Sequence, residues 1–208
     1  MAQGPSAIAS SRVKIDIAVF DGMDELDAVG PLEVLRSAAE RGAAFDVWLV
    51  TLEPQAKVMC AHGLAIIPDG VLRRDADILV FPGGGWISRS EGGVRAEVAS
   101  RRWVTPISEA GARGAILASV CTGAMILASA GALTNRRATT HHGAWHDLEA
   151  AGATLVHERV VDDGDRITAG GVTSGIDLGL WLVERFAGQE MAAQIAENLE
   201  YRAAHHAC

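Results

Sequence analysis

The stretch Ala115-Ile-Leu-Ala-Ser-Val-Cys-Thr-Gly-Ala-Met-Ile-Leu-Ala-Ser-Ala-Gly-Ala132 decides the fold of this chain. Its first part, from Ala115 to Val120, is an apolar run with the length of a fully buried strand. After Cys121, small residues open a second apolar run of helical length, which Gly131 closes. The pattern predicts a strand, a sharp turn and a helix, with Cys121 at the turn.

A cysteine at such a turn lies over the free N–H groups and the positive dipole end of the following helix. These groups favour the thiolate, so we predict that Cys121 is reactive. Gly123 and Ala124 suit the turn because a larger side chain would strike the neighbouring strand. The alternative is a buried structural cysteine, which packs as a small hydrophobe.

The composition predicts one α/β domain with a large core. Apolar residues make up 49% of the 208 residues and charged residues 21%, and no polar or Pro/Gly-rich linker divides the chain. We therefore predict a single domain over residues 13–202. A disordered N-terminal tail over 1–12 and a C-terminal tail over 203–208 are expected to flank it.

The net charge indicates which partners the protein can bind, and the cysteines indicate the redox state of its compartment. A net charge of −8 with scattered basic pairs predicts no nucleic-acid partner, because phosphate binding needs a clustered basic surface. The three cysteines have no close spacing, which suits reduced thiols and predicts neither a disulfide framework nor a metal site. We find no signal peptide and no apolar run of membrane-spanning length, so we expect a cytoplasmic protein with no membrane partner.

The first ninety residues indicate a parallel sheet. Val13 to Phe20 is a predicted strand, apolar residues recur at helical spacing from Leu26 to Ala38, and Phe45 to Thr51 is a second strand. We place Pro31 in the first turn of the helix, where a proline is tolerated. This βαβ unit has a right-handed crossover and therefore parallel strands.

The rest of the chain supplies the remaining predicted elements. They are a hairpin of Lys57 to Cys60 with Leu64 to Ile67, a strand from Asp77 to Phe81, helical structure from Gly92 to Gly111 broken near Thr105-Pro106, a short strand from Arg137 to His141, a helix from Ala144 to Ala151, an edge strand from Thr154 to Asp162, a strand from Ile167 to Ala169, and two final helices.

Special residues follow four of the predicted strands: Asp27, Gly83 to Gly85, Cys121-Thr122 and Gly170 to Thr173. Three consecutive glycines can present backbone N–H groups to a ligand or a developing anion, although a plain flexible turn is the alternative. The spacing fits neither a Walker loop nor a dinucleotide fingerprint. Because ligands bind beyond the carboxyl ends of parallel strands, we expect all four segments to converge.

These segments and their neighbours resemble the ThiJ/PfpI superfamily, over about Val13 to Tyr201. The broad match rests on Phe81-Pro-Gly-Gly84, Ser119-Val-Cys-Thr-Gly123, Ala138-Thr-Thr-His141 and Gly170-Gly-Val-Thr-Ser-Gly-Ile-Asp177. The resemblance implies the class I glutamine amidotransferase-like, flavodoxin-like fold: a doubly wound, mostly parallel sheet with helices on both faces and a cysteine nucleophile elbow.

Within the superfamily the chain looks most like the isocyanide hydratases and the similar sensory domains of certain transcription regulators. That narrower match rests on Leu26-Asp27 before Gly30-Pro31, Val120-Cys-Thr-Gly123, Arg137-Ala-Thr-Thr-His141 and His157-Glu-Arg-Val-Val-Asp162. One departure is His142-Gly143, where the hydratases carry an aromatic residue and are one residue shorter.

The resemblance implies a role for each site residue. Cys121 is the nucleophile, Asp27 is the acid beside its sulfur, and the backbone of Gly84 and Thr122 stabilises an anion. Val172 forms the pocket wall near the thiol. The other implied pocket residues are Gly85, His141 and Gly171. The superfamily habit also implies a homodimer.

The implied reaction is the hydration of an isocyanide, R–N≡C, to an N-substituted formamide through a thioimidate on Cys121, with no metal and no organic cofactor. A partly buried Asp27 beside the sulfur should have a raised pKa and carry a proton at neutral pH. Its alternative role is the N-cap of the following helix.

Three other functions stay open. The same cysteine and carboxyl suit a cofactor-free glyoxalase or another carbonyl-directed enzyme. A redox or stress-protective protein would use the oxidation of an elbow cysteine. A small-molecule sensor is the third, although we expect such regulators to continue into a helix-turn-helix segment, and only about seven residues follow Tyr201.

Overall fold

The computed structural model describes residues 12–202, so the predicted tails lie outside the described residues, apart from Arg12. The strands are β1 (Val13–Ala18), β2 (Phe45–Thr51), β3 (Val58–Met59), β4 (Ala65–Ile66), β5 (Gly70–Val71), β6 (Ile78–Phe81), β7 (Ile116–Val120), β8 (Arg137–Ala138), β9 (Thr154–Leu155), β10 (Val160–Asp162) and β11 (Arg166–Ala169). The helices are α1 (Glu25–Glu40), α2 (Val94–Ser100), α3 (Val104–Ala112), α4 (Ala124–Ser129), α5 (Trp145–Ala150), α6 (Ser174–Ala187) and α7 (Gln189–Asn198). Over residues 12–202, none of these helices combines the length and the apolar character that a membrane crossing requires.

One sheet of the described chain contains seven strands in the order β10-β11-β7-β6-β1-β2-β5. All its neighbouring strands run parallel except β10 and β11, which are antiparallel. Two groups of helices flank the sheet: α1 and α7 pack against α6, while α3 and α4 pack against β7. This mostly parallel sheet with flanking helices confirms the predicted α/β, flavodoxin-like fold.

The central strand β6 is an unbroken apolar run because helices cover both faces of the sheet there. All four residues of β6 are buried, and Phe81 at its end is fully enclosed. The ring of Trp103 stands edge-on to Phe81, with ring centroids 5.2 Å apart at 88°. This packing holds the carboxyl end of β6 in a rigid part of the core.

The strand order places the predicted site at a single edge of the sheet. The neighbouring strands β11, β7, β6 and β1 all point the same way, and each is followed by one of the four special segments. The chain places β2 on one side of β1 and β6 on the other, which makes a topological switch point beside β1. Crevices at such points hold the ligands of open parallel sheets.

The predicted edge strand from Thr154 to Asp162 is wrong as a single element. Its first part is β9, which pairs parallel with β8 in a separate two-stranded sheet. Its second part is β10, which pairs antiparallel with β11 at the edge of the main sheet. The alternating pattern continues through both parts, but alternation reports the exposure of side chains and not the partner strand.

Two helix details also differ from the prediction. The break in the helical segment lies at Arg101, whose φ of 56° is left-handed, and Pro106 belongs to the first turn of α3. Pro31 is the seventh residue of α1 and not part of its first turn. It therefore leaves the carbonyl of Asp27, four residues earlier, without a helical N–H partner. The predicted hairpin is confirmed as β3 and β4.

Candidate active site

Cys121 occupies a strained turn directly after β7. Its φ of 55° is left-handed, which is uncommon for a residue with a side chain, and a 3₁₀ turn over Cys121–Gly123 leads from it into α4. Its N–H donates to the carbonyl of Gly170 at 2.7 Å, and Thr140 Oγ1 donates to its carbonyl at 2.8 Å. These two hydrogen bonds hold the predicted sharp turn.

Two glycines allow the ends of β6 and β7 and the first turn of α1 to meet. A Cβ on Gly123 would lie 1.9 Å from the carbonyl oxygen of Phe81, so only glycine fits there. A Cβ on Gly83 would lie 2.5 Å from the backbone nitrogen of Thr122 and 2.8 Å from Asp27 Oδ2. The expected crowding at the elbow is therefore confirmed, and it brings the carboxyl of Asp27 to the cysteine.

Asp27 is fully buried, and it is the third residue of α1 rather than its cap. The N-cap is Asp24, whose Oδ1 accepts from the N–H of Leu26 at 3.1 Å, so the capping role considered for Asp27 is wrong. Oδ2 of Asp27 accepts from the N–H of Gly83 at 2.8 Å. Oδ1 is buried without a hydrogen-bond partner among residues 12–202. A buried carboxyl left half-satisfied calls for a functional explanation.

Burial raises the pKa of Asp27 to about 8, and the nearby negative charge of Asp24 acts in the same direction. The N–H of Gly83 and the thiol of Cys121 act in the opposite direction, because both donate to the charged carboxylate. The predicted increase is confirmed. At pH 7 the Asp27 carboxyl is mostly protonated, and it can both give and accept a proton near neutrality.

The predicted thiolate at Cys121 is wrong for the resting site. Burial raises the pKa of the Cys121 thiol to about 12, and the charge of Asp27 adds to this increase. The backbone N–H groups of Val172 and Thr122 lower the pKa, but they do not outweigh burial. The interaction of the thiol with the Asp27 side chain also raises the pKa of Cys121. Each charge opposes the other, so the two groups titrate as a pair.

The thiol opens into a cavity of about 240 Å³. Six of the eight predicted site residues line it: Gly84, Gly85, Cys121, Thr122, His141 and Val172. Asp27 lies outside the lining and reaches the site through its contacts with Gly83 and Cys121. Gly171 lines a neighbouring cavity of about 310 Å³.

Sequence reasoning missed the other lining residues, which are Asp24, Ala61, His62, Trp86, Ile87 and Ser88. Trp86 directly follows the three glycines, and this position could have predicted that it lines the cavity. Its Nε1 donates to Asp147 Oδ2 at 2.7 Å, and Arg95 stacks over its ring at 4.5 Å. Ala61 and His62 come from the tip of the β3–β4 hairpin, whose contact with the site has no local signal.

Two predicted site residues have defined hydrogen-bonding states. The N–H of Gly84 already donates to Thr122 Oγ1 at 2.9 Å. Nδ1 of His141 accepts from the N–H of Gly143 at 3.1 Å, which assigns the ring proton to Nε2. Burial and the neighbouring His142 lower the pKa of His141, so its imidazole is neutral at pH 7. His141 therefore offers the cavity an N–H donor.

A further group lies at the mouth of the cavity. Donor atoms of Asp24, Glu25 and His62 lie within 4.8 Å of one another, the spacing that a metal ion would need. Each has a partner already: Asp24 caps α1, and Glu25 Oε2 lies 3.1 Å from His62 Nδ1. The arrangement needs no ion to explain it, and the absence of a metal stays a prediction.

Known proteins match this chain over most of its length. A model of the DJ-1/PfpI family matches residues 13–185. The isonitrile hydratase of Pseudomonas putida is 33% identical over 91% of this chain and 78% of that protein. The HTH-type transcriptional regulator CdhR of Pseudomonas aeruginosa is 29% identical over 86% of this chain but 52% of the regulator. A solved ThiJ/PfpI family protein of Pseudomonas syringae has a TM-score of 0.81 and 29% identity, covering 99% of this chain and 83% of that one.

Proposed function

The chain belongs to the DJ-1/PfpI family, and from this premise we propose that it is a hydro-lyase that converts isocyanides to N-substituted formamides. The observation that carries the proposal is the buried, half-satisfied carboxyl of Asp27 beside the Cys121 thiol. Similarity to a protein named isonitrile hydratase supports the choice of substrate. The proposed reaction uses no metal and no organic cofactor.

In the first half of the reaction, the sulfur of Cys121 forms a bond to the terminal carbon of R–N≡C. Because the pKa of the thiol is raised, its proton must leave as the S–C bond forms. Asp27, which is protonated at rest, is the group placed to deliver its proton to the same carbon and to take up the proton of the thiol. The product is the thioimidate R–N=CH–S-Cys121, with every proton accounted for.

In the second half, a water molecule adds to the thioimidate carbon. Asp27 gives its proton to the imidate nitrogen and accepts one from the water, which gives R–NH–CH(OH)–S-Cys121. Cleavage of the C–S bond then releases the formamide R–NH–CHO, and the hydroxyl proton returns to the sulfur. The sum is one isocyanide plus one water to one formamide, so a single carboxyl that cycles near neutral pH is sufficient.

The cavity suits a small substrate with an apolar substituent. Its volume of about 240 Å³ lies below the range of most drug-sized ligand pockets. Trp86, Ile87 and Val172 supply apolar wall, while the Nε2–H of His141 supplies a donor for the nitrogen of the thioimidate. Gly143 makes room for this wall, since a Cβ there would lie 2.5 Å from Ile87 Cδ1.

The test is an assay of the purified protein in metal-free buffer containing a chelator. We expect a small alkyl or aryl isocyanide to yield its formamide, measured by mass spectrometry. In ¹⁸O-labelled water the product should gain one ¹⁸O atom, because the carbonyl oxygen comes from water. Methylglyoxal is assayed on the same preparation.

The outcomes separate the candidate functions. Lactate from methylglyoxal without any formamide would replace hydration by the glyoxalase reaction. No turnover of either compound would contradict both enzyme functions and leave the sensor or the redox protein. The sensor has support from the similarity to CdhR, although this chain spans 52% of that regulator.

We further propose that the protein forms a homodimer through an apolar groove between α1, α6 and the segment after α7. Leu26, Val29, Ile176, Leu199 and Tyr201 line this groove of about 350 Å³. An exposed apolar surface of this kind is typical of an interface. Light scattering should give about twice the mass of one chain at micromolar concentration, and Val29→Glu should shift the mass toward the monomer. A monomeric wild-type protein would end this proposal.

The cytoplasmic location stays a prediction.

A further inference from the structure

Val172 lines the same cavity as the Cys121 thiol, and its backbone N–H lowers the pKa of that thiol. Val172 lies in the irregular loop Gly170–Thr173, between β11 and α6. A strand or helix would fix such an N–H through its own ladder of hydrogen bonds. In a loop, other contacts must hold the donor in place.

Arg159 contacts this loop at both of its ends. Its carbonyl oxygen accepts from the N–H of Gly170 at 2.9 Å, where the loop begins. Its Nη2 donates to Thr173 Oγ1 at 3.1 Å, where the loop ends. Val172 lies between these two points, so the position of Arg159 limits where the Val172 N–H can point.

A buried carboxylate fixes the guanidinium of Arg159. Asp177 is fully buried in α6, and its Oδ2 accepts from Arg159 Nε at 2.8 Å and from Nη2 at 2.6 Å. The hydroxyl of Tyr201 donates to the same oxygen at 2.9 Å. A planar guanidinium with two N–H groups on one carboxylate has little freedom to rotate.

We propose that Arg159, held by Asp177, is a positioning residue that keeps the loop Gly170–Thr173 in the conformation that points the Val172 N–H at the sulfur of Cys121. The proposal rests on Cys121 being the reactive residue of the proposed function. It does not depend on an isocyanide being the substrate.

Three variants test the proposal. Thr173→Val removes only the hydroxyl that Arg159 holds, at an exposed position where the fold should tolerate the change. Arg159→Lys keeps a positive charge for Asp177, but one ammonium group cannot reproduce the fork that holds both Asp177 and Thr173. Arg185→Met is the matched control. Arg185 lies in α6, the helix that also carries Asp177, and it pairs with Asp162 of β10. Its hydrogen bonds within residues 12–202 go to Asp162 and Gly164 and not to the loop.

The readout is the rate of Cys121 labelling by iodoacetamide between pH 7 and pH 10, measured on the Cys121 peptide by mass spectrometry. Thr173→Val and Arg159→Lys should label Cys121 about three- to tenfold more slowly at each pH. That factor corresponds to a rise of roughly half a unit to one unit in the thiol pKa when an N–H donor to the thiolate is lost. Arg185→Met should label like the wild type.

The sign of the effect separates positioning from general loosening. A loosened site would expose the buried thiol and label it faster, whereas a displaced Val172 N–H slows the labelling. The titratable groups near the sulfur, Asp27, Asp24, His62 and His141, are unchanged in all three variants. An unchanged or faster rate in Thr173→Val would overturn the proposal, and so would an equal slowing in Arg185→Met. Labelling needs no substrate, so a failed hydration assay does not affect this result.

Discussion

Replacing Cys121 by alanine is expected to lower the rate of formamide production by at least about 10⁴-fold, the scale seen when an enzyme loses its nucleophile. The proposed thioimidate cannot form without the sulfur. Alanine occupies the same left-handed backbone position as cysteine, and the site loses only one buried sulfur atom. The variant should therefore fold, with a circular dichroism spectrum like that of the wild type.

Cys60→Ala is the matched control for this result. Cys60 is also buried, and burial together with the charges of Glu25, Asp21 and Asp24 raises the pKa of its thiol to about 11. It lies outside the cavity lining, so its variant should retain turnover. If Cys121→Ala still produced formamide at a rate close to that of the wild type, covalent catalysis by the elbow cysteine would be excluded.

Asp27→Asn is expected to lower turnover by at least about 10²-fold at pH 7, because general acid–base catalysis contributes a factor of this size. The asparagine can still accept the hydrogen bond from Gly83, but it cannot carry the proton between thiol, carbon and water. Labelling of Cys121 by iodoacetamide should become faster in the same variant above about pH 8, where the Asp27 of the wild type is charged. The reason is that the charge of Asp27 and its hydrogen bond with the thiol both raise the pKa of Cys121.

Slower turnover together with faster thiol labelling would distinguish proton transfer from simple activation of the thiol. If both rates fell together, Asp27 would act by promoting the thiolate, and the proton shuttle proposed for it would be wrong. Glu40→Gln, an exposed change at the end of the same helix, should leave both rates unchanged.

Thermal unfolding supplies an independent check on the state of Asp27. Its pKa is about 8 in the folded protein and near 3.8 in an unfolded chain, so between these values the folded state holds a proton that the unfolded state has released. The contribution of Asp27 to the unfolding free energy is complete below about pH 4 and is lost as the pH rises toward 8. The Tm of Asp27→Asn relative to the wild type should therefore increase from pH 5 to pH 8. A constant difference would show that the pKa of Asp27 is not raised.

Burial of the thiol and the carboxyl sets the resting state of the proposed site. Both groups are buried, and burial raises the pKa of each of them. In the proposed reaction, proton transfer therefore begins only after the substrate has bound. A preformed thiolate would be open to oxidation at all times. In the proposed reaction, the protonated pair reacts only when an electrophilic carbon reaches the sulfur and takes the proton of Asp27, which leaves the carboxylate to accept the proton of the thiol.

The sequence by itself determined the architecture and the convergence of the site. The apolar runs of β1, β6 and β7 and the helical spacing after β1 are local patterns, and they are sufficient to predict a parallel sheet. Once the sheet is parallel, Asp27, Cys121 and the two glycine loops must lie at one edge, because each follows a strand at its carboxyl end. The need for glycine at position 123 was also predictable from the sequence, since an elbow leaves no room for a Cβ.

Only the tertiary structure decided the chemistry of the thiol and the contacts around it. Sequence spacing predicted a thiolate at Cys121 from the helix N-terminus, but the pKa depends on burial by distant segments, and burial is the larger effect. The same limit applies to the hairpin tip at the cavity mouth. It applies also to Arg159, which reaches Asp177 across 18 positions of chain. Such contacts form between residues that no local pattern relates, because only the packing of the whole chain brings them within hydrogen-bonding distance.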